Sequence, residues 1–340
     1  MSTQQDLQET IEKITQEGKG ILAADESNPT IAKRFKAIGL ETSEENRRAW
    51  RSLILNTPKL SDHISGIILF EETLSHNSED GTPLPELALK QGILPGIKVD
   101  LGTTPLVNAP GDLITQGLDG LKERLIAYKE RGAVFAKWRE VYSITNHTPS
   151  PTGIIANADT LARYAAICQS VGVVPIVEPE VLIDGKHSID TCFDVIEAVH
   201  RAVFQSLWQY RVCLEHIILK PSMVTPGKDS SLKASPEQVA DYTVKQFRRS
   251  VPAAVPSINF LSGGQSNEEA SANLNAMNAI YPDAPWDLSF SYGRALQQPG
   301  LQAWEGKIDN VESAQNALYH RARLNGAARL GQYKTEMEND

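Results

Sequence analysis

Short apolar runs alternate with longer segments of helical periodicity along almost the whole chain. Residues 5–17 place Leu7, Ile11 and Ile14 on one helical face, and Gly18 and Gly20 end that helix. The run KGILAADES (19–27) then reads as a strand. Thr42 with Glu45 has capping-box spacing for a helix reaching to about Asn56, and GIILFEET (66–73) is a second buried strand. PGIKVD (95–100) reads as a third, shorter strand, after which Asp119 opens a helix carrying Leu121, Leu125 and Tyr128 on one face. VFAKWR (134–139) and VVPIVEPE (173–180) follow as strands, separated by a helix over 157–171 that Gly172 stops. A long amphipathic helix over 189–210 leads into HIILKP (216–221). Ser235 and Gln238, with Pro236 between them, cap the helix that returns to INFLSGG (258–264). Ser266 and Glu269 cap the next helix, and WDLSFSYGRA (286–295) is the last run.

Eight apolar runs, each separated by room for a helix, imply an α/β protein with a parallel sheet, and eight is the number that closes a barrel. The same alternation also fits an open doubly wound sheet, but no Gly-x-Gly-x-x-Gly follows the first run, so the dinucleotide-binding form of that sheet loses its main support. No Pro/Gly linker divides the chain. The expectation is a single (β/α)8 barrel domain over 1–333 with an N-terminal helix and a C-terminal helical segment over 309–331, then a short polar, frayed tail over 334–340.

Composition narrows the function. With 33 Lys plus Arg against 42 Asp plus Glu, the net charge of −9 argues against nucleic acid or an acidic membrane as partner, so an anionic ligand must meet a local basic site. Cys168, Cys192 and Cys213 show no paired spacing, which points to a reduced, cytoplasmic setting, and no apolar run is long enough for a membrane span. His147, His187, His200 and His216 lack ligand spacing, so neither a metal nor another cofactor is expected.

Polar residues collect at the carboxyl ends of the runs: Asp25, Lys98, Lys137, Arg139, Glu178, Glu180, Lys220, Ser262 and Arg294. In a barrel those ends meet at one mouth, where charge is costly unless paired or used. Lys220 ends an apolar run, and Pro221 cannot donate to a ladder after it. Alone, such a lysine snorkels to water. Against apolar walls and beside Lys137, repulsion would favour its neutral form, that of an amine nucleophile. Arg139 and Glu180 read equally well as an orienting ion pair. Ser262-Gly263-Gly264, running into a capped helix, offers bare amides as an anion seat, with Gly293 and Arg294 on the next run beside it. Ser27, Arg34 and Lys98 could hold a second phosphate, which suggests a bisphosphate ligand.

KGILAADES, GIKVD, FAKWR, IVEPE, LKPSMVTPG, FLSGGQS and FSYGRAL together resemble the class I fructose-bisphosphate aldolase family over nearly the whole chain. The resemblance implies reversible cleavage of fructose 1,6-bisphosphate, with sedoheptulose bisphosphate as a further candidate substrate, in a homotetrameric cytoplasmic enzyme. It implies that Lys220 forms the Schiff base, Glu178 moves protons in making the carbinolamine and dehydrating it, Asp25 deprotonates the carbon 4 hydroxyl, and Lys137 supports both by charge. By the same carry-over Ser262, Gly263, Ser291, Gly293 and Arg294 hold the carbon 1 phosphate, with Gly264 in the same turn. Ser27, Arg34 and Lys98 lie toward the carbon 6 phosphate. Animal members end in a long tail whose final tyrosine helps protonate the enamine; here the sequence stops at Asp340, and Tyr333 reads as a docking anchor. Two other readings are a catalytically silent sugar-phosphate-binding or scaffold protein on the same barrel, and another imine-forming barrel such as a transaldolase.

Overall fold

In the computed structural model, which describes residues 3–339, the apolar runs become β1 (Gly20–Ala24), β2 (Ile64–Leu69), β3 (Leu94–Lys98), β6 (Phe135–Tyr142), β7 (Val174–Val181), β8 (Ile218–Leu219), β9 (Ser257–Phe260) and β10 (Asp287–Tyr292). They close into a parallel barrel in the order β1, β10, β9, β8, β7, β6, β3, β2. Two further strands, β4 (Thr103–Pro105) and β5 (Leu113–Thr115), form an antiparallel hairpin after β3. The helices are α1 (Thr3–Ile14), α2 (Asn28–Ala37), α3 (Glu44–Leu55), α4 (Glu71–Leu74), α5 (Leu84–Lys90), α6 (Leu121–Glu130), α7 (Pro151–Ser170), α8 (Ile189–Gln209), α9 (Pro236–Ser250), α10 (Asn267–Ile280), α11 (Arg294–Trp304) and α12 (Val311–Arg329).

The pleat sorts each strand into an outer face against the helices and an inner face. The outer residues join one large buried cluster with the helices, whereas Ile21, Ala23, Ile68, Phe135, Val174, Ile176 and Ile218 form a second cluster inside the barrel. Leu7, Ile11 and Ile14 of α1 belong to that inner cluster, so α1 plugs the amino end of the barrel. Continuing with the same parity, β6 presents Lys137 and Arg139, β7 presents Glu178 and Glu180, and the chain after β8 presents Lys220. The apolar plug at one end therefore converts to a charged layer at the other within two pleats. Phe135 fills the barrel against Gly96: a Cβ there would come 2.1 Å from its ring, which is why β3 carries glycine.

Several boundaries differ from expectation. The α3 cap is Ser43, which accepts from the Asn46 amide at 3.1 Å, rather than Thr42. Asp119 does not open α6, since Gly120 in a left-handed conformation precedes it. Helix α7 begins six residues earlier than 157, capped by Ser150 with Pro151 at its first position. Gly293 to Ala295 leave the last strand: Gly293 caps α11 and Arg294 starts it. The tail is not frayed over its described part, because Thr335–Asn339 form a 3-10 turn in which Glu338 accepts from the buried Arg321 at 2.8 Å and from Tyr333 Oη at 2.7 Å. Asp340 lies outside the described residues.

Gly96→Ala is expected to destabilise the protein by about 1–3 kcal/mol through overpacking against Phe135. Urea unfolding of this variant, of Phe135→Leu and of the double variant checks it; the double variant should lose less than the two single losses combined.

Candidate active site

At the centre of the charged layer, one carboxylate stands between two ammonium groups. Glu178 Oε1 is 3.2 Å from Lys220 Nζ and Glu178 Oε2 is 3.4 Å from Lys137 Nζ, while Lys137 Nζ also lies 2.8 Å from Asp25 Oδ2. All four side chains are at most 12% exposed. Lys220 is held by its own backbone, whose amide donates to Val177 at 2.8 Å before Pro221 ends the ladder. The lysines expected to repel each other thus have Glu178 between them. Burial would raise the Asp25 carboxyl, but Lys137 and then Lys220 outweigh it and hold it well below the usual carboxylate range. Burial likewise opposes the charge on Lys137, and Asp25 with Glu178 more than restores it, so its ammonium is kept.

Around this centre Arg139 Nε donates to Glu180 as an ion pair, and Glu180 with Glu178 outweighs burial to hold the guanidinium charged. Lys98 is clamped by Asp100, donating to its carbonyl at 2.8 Å and lying 2.7 Å from Oδ1. Ser27 begins α2, its hydroxyl 3.2 Å from that of Thr30. Two turns on, Arg34 pairs with Glu26, whose buried carboxylate also meets Arg51 Nη2 at 2.5 Å and accepts from Gln297 Nε2 at 2.7 Å. Glu26 thereby fixes Arg34 from beneath. Neither Glu26 nor Asp100 stands out as a site residue within KGILAADES and GIKVD, because Glu26 draws partners from elsewhere in the fold and Asp100 draws one from the backbone.

The start of α10 is closed by the expected capping box, Ser266 with Glu269. Helix α11 is the open one: Gly293 gives no side-chain cap, and no acidic residue occupies its first turn. Beside that end lie the Gly263 and Gly264 turn, both at positive φ, the buried Ser262, and Ser291, whose buried hydroxyl has no protein partner. A Cβ at Gly293 would meet Ala23 O at 3.3 Å and Arg34 Nη2 at 3.6 Å, so backbone and Arg34 close on this point. Burial, and after it the charge of Arg34, holds the Arg294 guanidinium below its ordinary value. Two guanidiniums converging near an uncapped helix start suit a dianion.

A cavity of about 700 Å³ joins all these groups, and every site residue predicted from sequence lines it. Val99, Leu101 and Thr103, from the approach to the β4–β5 hairpin, complete one wall. Chemically, the cavity offers an amine, a carboxylate within reach of it, a second carboxylate kept ionised, and basic groups on both sides.

The family model described as fructose-bisphosphate aldolase class-I matches residues 6–340. The chain is 54% identical over 324 residues to fructose-bisphosphate aldolase 2 of Caenorhabditis elegans, covering 95% of this chain and 88% of that protein. It is 52% identical over 335 residues to a probable fructose-bisphosphate aldolase class 1 of Xanthomonas campestris, covering 98% and 100% respectively. It is also 54% identical over 321 residues to fructose-bisphosphate aldolase 4, cytosolic, of Arabidopsis thaliana, covering 94% and 82%. Among solved structures, the fructose-bisphosphate aldolase of Plasmodium falciparum, crystallised with TRAP and a small-molecule inhibitor, superposes with a TM-score of 0.96 at 49% identity, covering 98% of this chain and 96% of that one.

Lys137→Met leaves Asp25 and Glu178 facing each other without their shared cation. A loss of about 3–5 kcal/mol at neutral pH is expected from the uncompensated buried charge. In the native protein the depressed Asp25 pKa adds stability that is complete above the ordinary carboxylate range and is lost as pH falls below about 4; the variant lacks that gain, so the gap should be smaller at about pH 2.5 than at neutral pH. Urea unfolding at both pH values measures it.

Proposed function

Because the chain belongs to the class I fructose-bisphosphate aldolase family, whose reversible, metal-independent cleavage of fructose 1,6-bisphosphate to dihydroxyacetone phosphate and glyceraldehyde 3-phosphate is a step of glycolysis, we propose that its four central charged groups divide that reaction among them. Lys220, as the free amine, attacks the carbon 2 ketone. Glu178, 3.2 Å from Nζ, takes the proton that Lys220 sheds to become that amine; a second proton passes from nitrogen to the ketone oxygen as the carbinolamine forms, and Glu178 returns its own to the departing hydroxyl, so that water leaves and the iminium remains. Asp25 accepts the carbon 4 hydroxyl proton. The carbon 3 to carbon 4 bond then breaks, its electron pair flows into the iminium to give an enamine, and carbon 4 leaves as the aldehyde carbon. Lys137, 2.8 Å from Asp25 and 3.4 Å from Glu178, keeps the base ionised while the sink forms. The observation carrying this reading is that unbroken line from Lys220 through Glu178 and Lys137 to Asp25.

For binding, the proposal assigns the carbon 1 phosphate to the α11 start with Ser262, Gly263, Gly264, Ser291, Gly293 and Arg294, and the carbon 6 phosphate to Ser27 and Lys98. Arg34, beside Gly293 and electrostatically coupled to Arg294, reaches the first seat as well as the second. Arg139 with Glu180 orients the sugar between them. Assembly as a homotetramer rests on the family resemblance. A cytoplasmic location is supported by the cytosolic Arabidopsis relative, and no helix among the described residues is long and apolar enough to cross a membrane.

Borohydride reduction with dihydroxyacetone phosphate is expected to add one reduced adduct, found at Lys220 by peptide mass mapping and lost in Lys220→Met. An adduct that persists in that variant refutes the assignment. Lys98→Ala is expected to raise KM about tenfold or more for fructose 1,6-bisphosphate and to leave KM for fructose 1-phosphate within about twofold, as steady-state kinetics would show.

A further inference from the structure

Glu140 follows Arg139 on β6 but points the other way, out of the barrel, and is fully buried. Both its bonds come from neutral donors: Oε1 accepts from Trp138 Nε1 at 2.9 Å and Oε2 from the Thr115 amide at 3.1 Å. Thr115 ends β5, and its hydroxyl donates to Arg139 O at 2.7 Å. The next residue pairs with the wall of the mouth, since Gln116 N donates to Gly102 O and Leu101 N donates to Gln116 O, each at 2.9 Å. Gly102 N in turn donates to Asp100 Oδ1 at 3.3 Å, and the same oxygen lies 2.7 Å from Lys98 Nζ. A continuous set of hydrogen bonds thus runs from the back of β6, through the hairpin, to the lysine of the second phosphate seat.

We infer that Glu140 is a positioning residue: its carboxylate seats β5 and, through β5, the Asp100–Lys98 pair, and proton uptake by Glu140 loosens that seat. This rests on the assignment of Lys98 made above. A carboxylate can accept from both donors at once, whereas its protonated form keeps one bare oxygen and turns the other into a donor. The Trp138 ring is fully buried and packs on Tyr164 with centroids 5.5 Å apart, so it cannot retreat. The Thr115 amide is the partner that yields. The buried Tyr142 hydroxyl, two residues on along the same face, has no protein partner and is electrostatically coupled to Glu140.

Asp100, after β3, and Tyr142, on β6, are the titratable groups that act on Glu140, and Asp112, on the hairpin, acts on Tyr142. Asp112 is occupied by Ser150, which donates its amide at 3.1 Å and also its hydroxyl. Arg124 is spent on the Val99 carbonyl at 2.9 Å and on that of Gly117. Burial, with Asp100 adding to it against the two hydrogen bonds, pushes the Glu140 carboxyl up to about 7. The seat is therefore tight above neutrality and loosens below it.

Hydrogen exchange of residues 113–117, corrected for the intrinsic pH dependence of amide exchange, tests this without turnover. Protection in the wild-type protein is expected to fall about tenfold between roughly pH 8 and pH 6, and Glu140→Gln is expected to show the low value at both. KM for fructose 1,6-bisphosphate should rise several-fold over that interval relative to Glu140→Gln at the same pH, a comparison that cancels the ionisation of the substrate phosphates, and KM for fructose 1-phosphate should show no such difference. Flat wild-type protection, or a step that survives in Glu140→Gln, overturns the anchoring role. A step in exchange with no matching change in KM overturns its link to the mouth.

Discussion

Two lysine side chains and two acidic side chains share the centre of the barrel, each nearly excluded from water, where a charge needs an opposite charge close by. Taking one such charge out of water costs several kcal/mol, and only close opposite charges in fixed geometry offset that. The arrangement Lys220, Glu178, Lys137, Asp25 satisfies this by alternation of sign. Everything around it serves to hold the geometry. The strands set spacing to within a pleat, the register aligns Arg139 with Glu178 and Lys98 with Lys137, and the apolar plug of α1 keeps water from entering at the amino end. The chemistry follows from the same alternation, because a carboxylate placed to neutralise an ammonium is also placed to take its proton.

The strands and this charged centre were legible in the sequence for one reason. A buried parallel strand reads as a continuous apolar run, and a charge at its carboxyl end stands out against it. Lys220 after HIIL, Glu178 within VVPIVEPE and Lys137 within VFAKWR each carried that contrast, and the order of the strands in the barrel needed only the rule of short right-handed crossovers. What stayed hidden depends on contacts between segments far apart in the chain. Glu26 looks like one more acid in ADES, and its meaning lies in Arg34, Arg51 and Gln297, which come from α2, α3 and α11. The two helix starts beside the expected anion seat look alike in the sequence, because both α10 and α11 follow Gly-containing ends of strands. Only the local caps, Ser266 with Glu269 on one and bare Gly293 on the other, separate them.

Short elements were the other blind spot. The three-residue strands β4 and β5 are too brief to show a period of two, so the hairpin read as connecting chain, yet it forms one wall of the mouth. Thr42 and Ser43 both sit three residues before a polar side chain, and hydrogen bonding to a single amide, that of Asn46, decides between them. Glu140 illustrates the converse case: its place on a strand was readable, but not that an indole and a backbone amide brought from the hairpin would donate to it.

The plugged floor has a consequence for traffic. With Leu7, Ile11, Ile14 and Phe135 packed together at the amino end, the apolar plug blocks that end, and the cavity is lined by residues at the carboxyl ends of the strands. On the proposed assignment two fragments occupy it after cleavage, and they are not equivalent: one is covalently tethered to Lys220 and the other is free. The untethered aldehyde is the one that can depart at once, whereas its sibling waits for protonation and hydrolysis. In the reverse direction the queue inverts, and the ketone must be docked on the lysine before the aldehyde has anything to meet. The covalent tether sets that order, and the plugged floor sends both fragments out through the mouth.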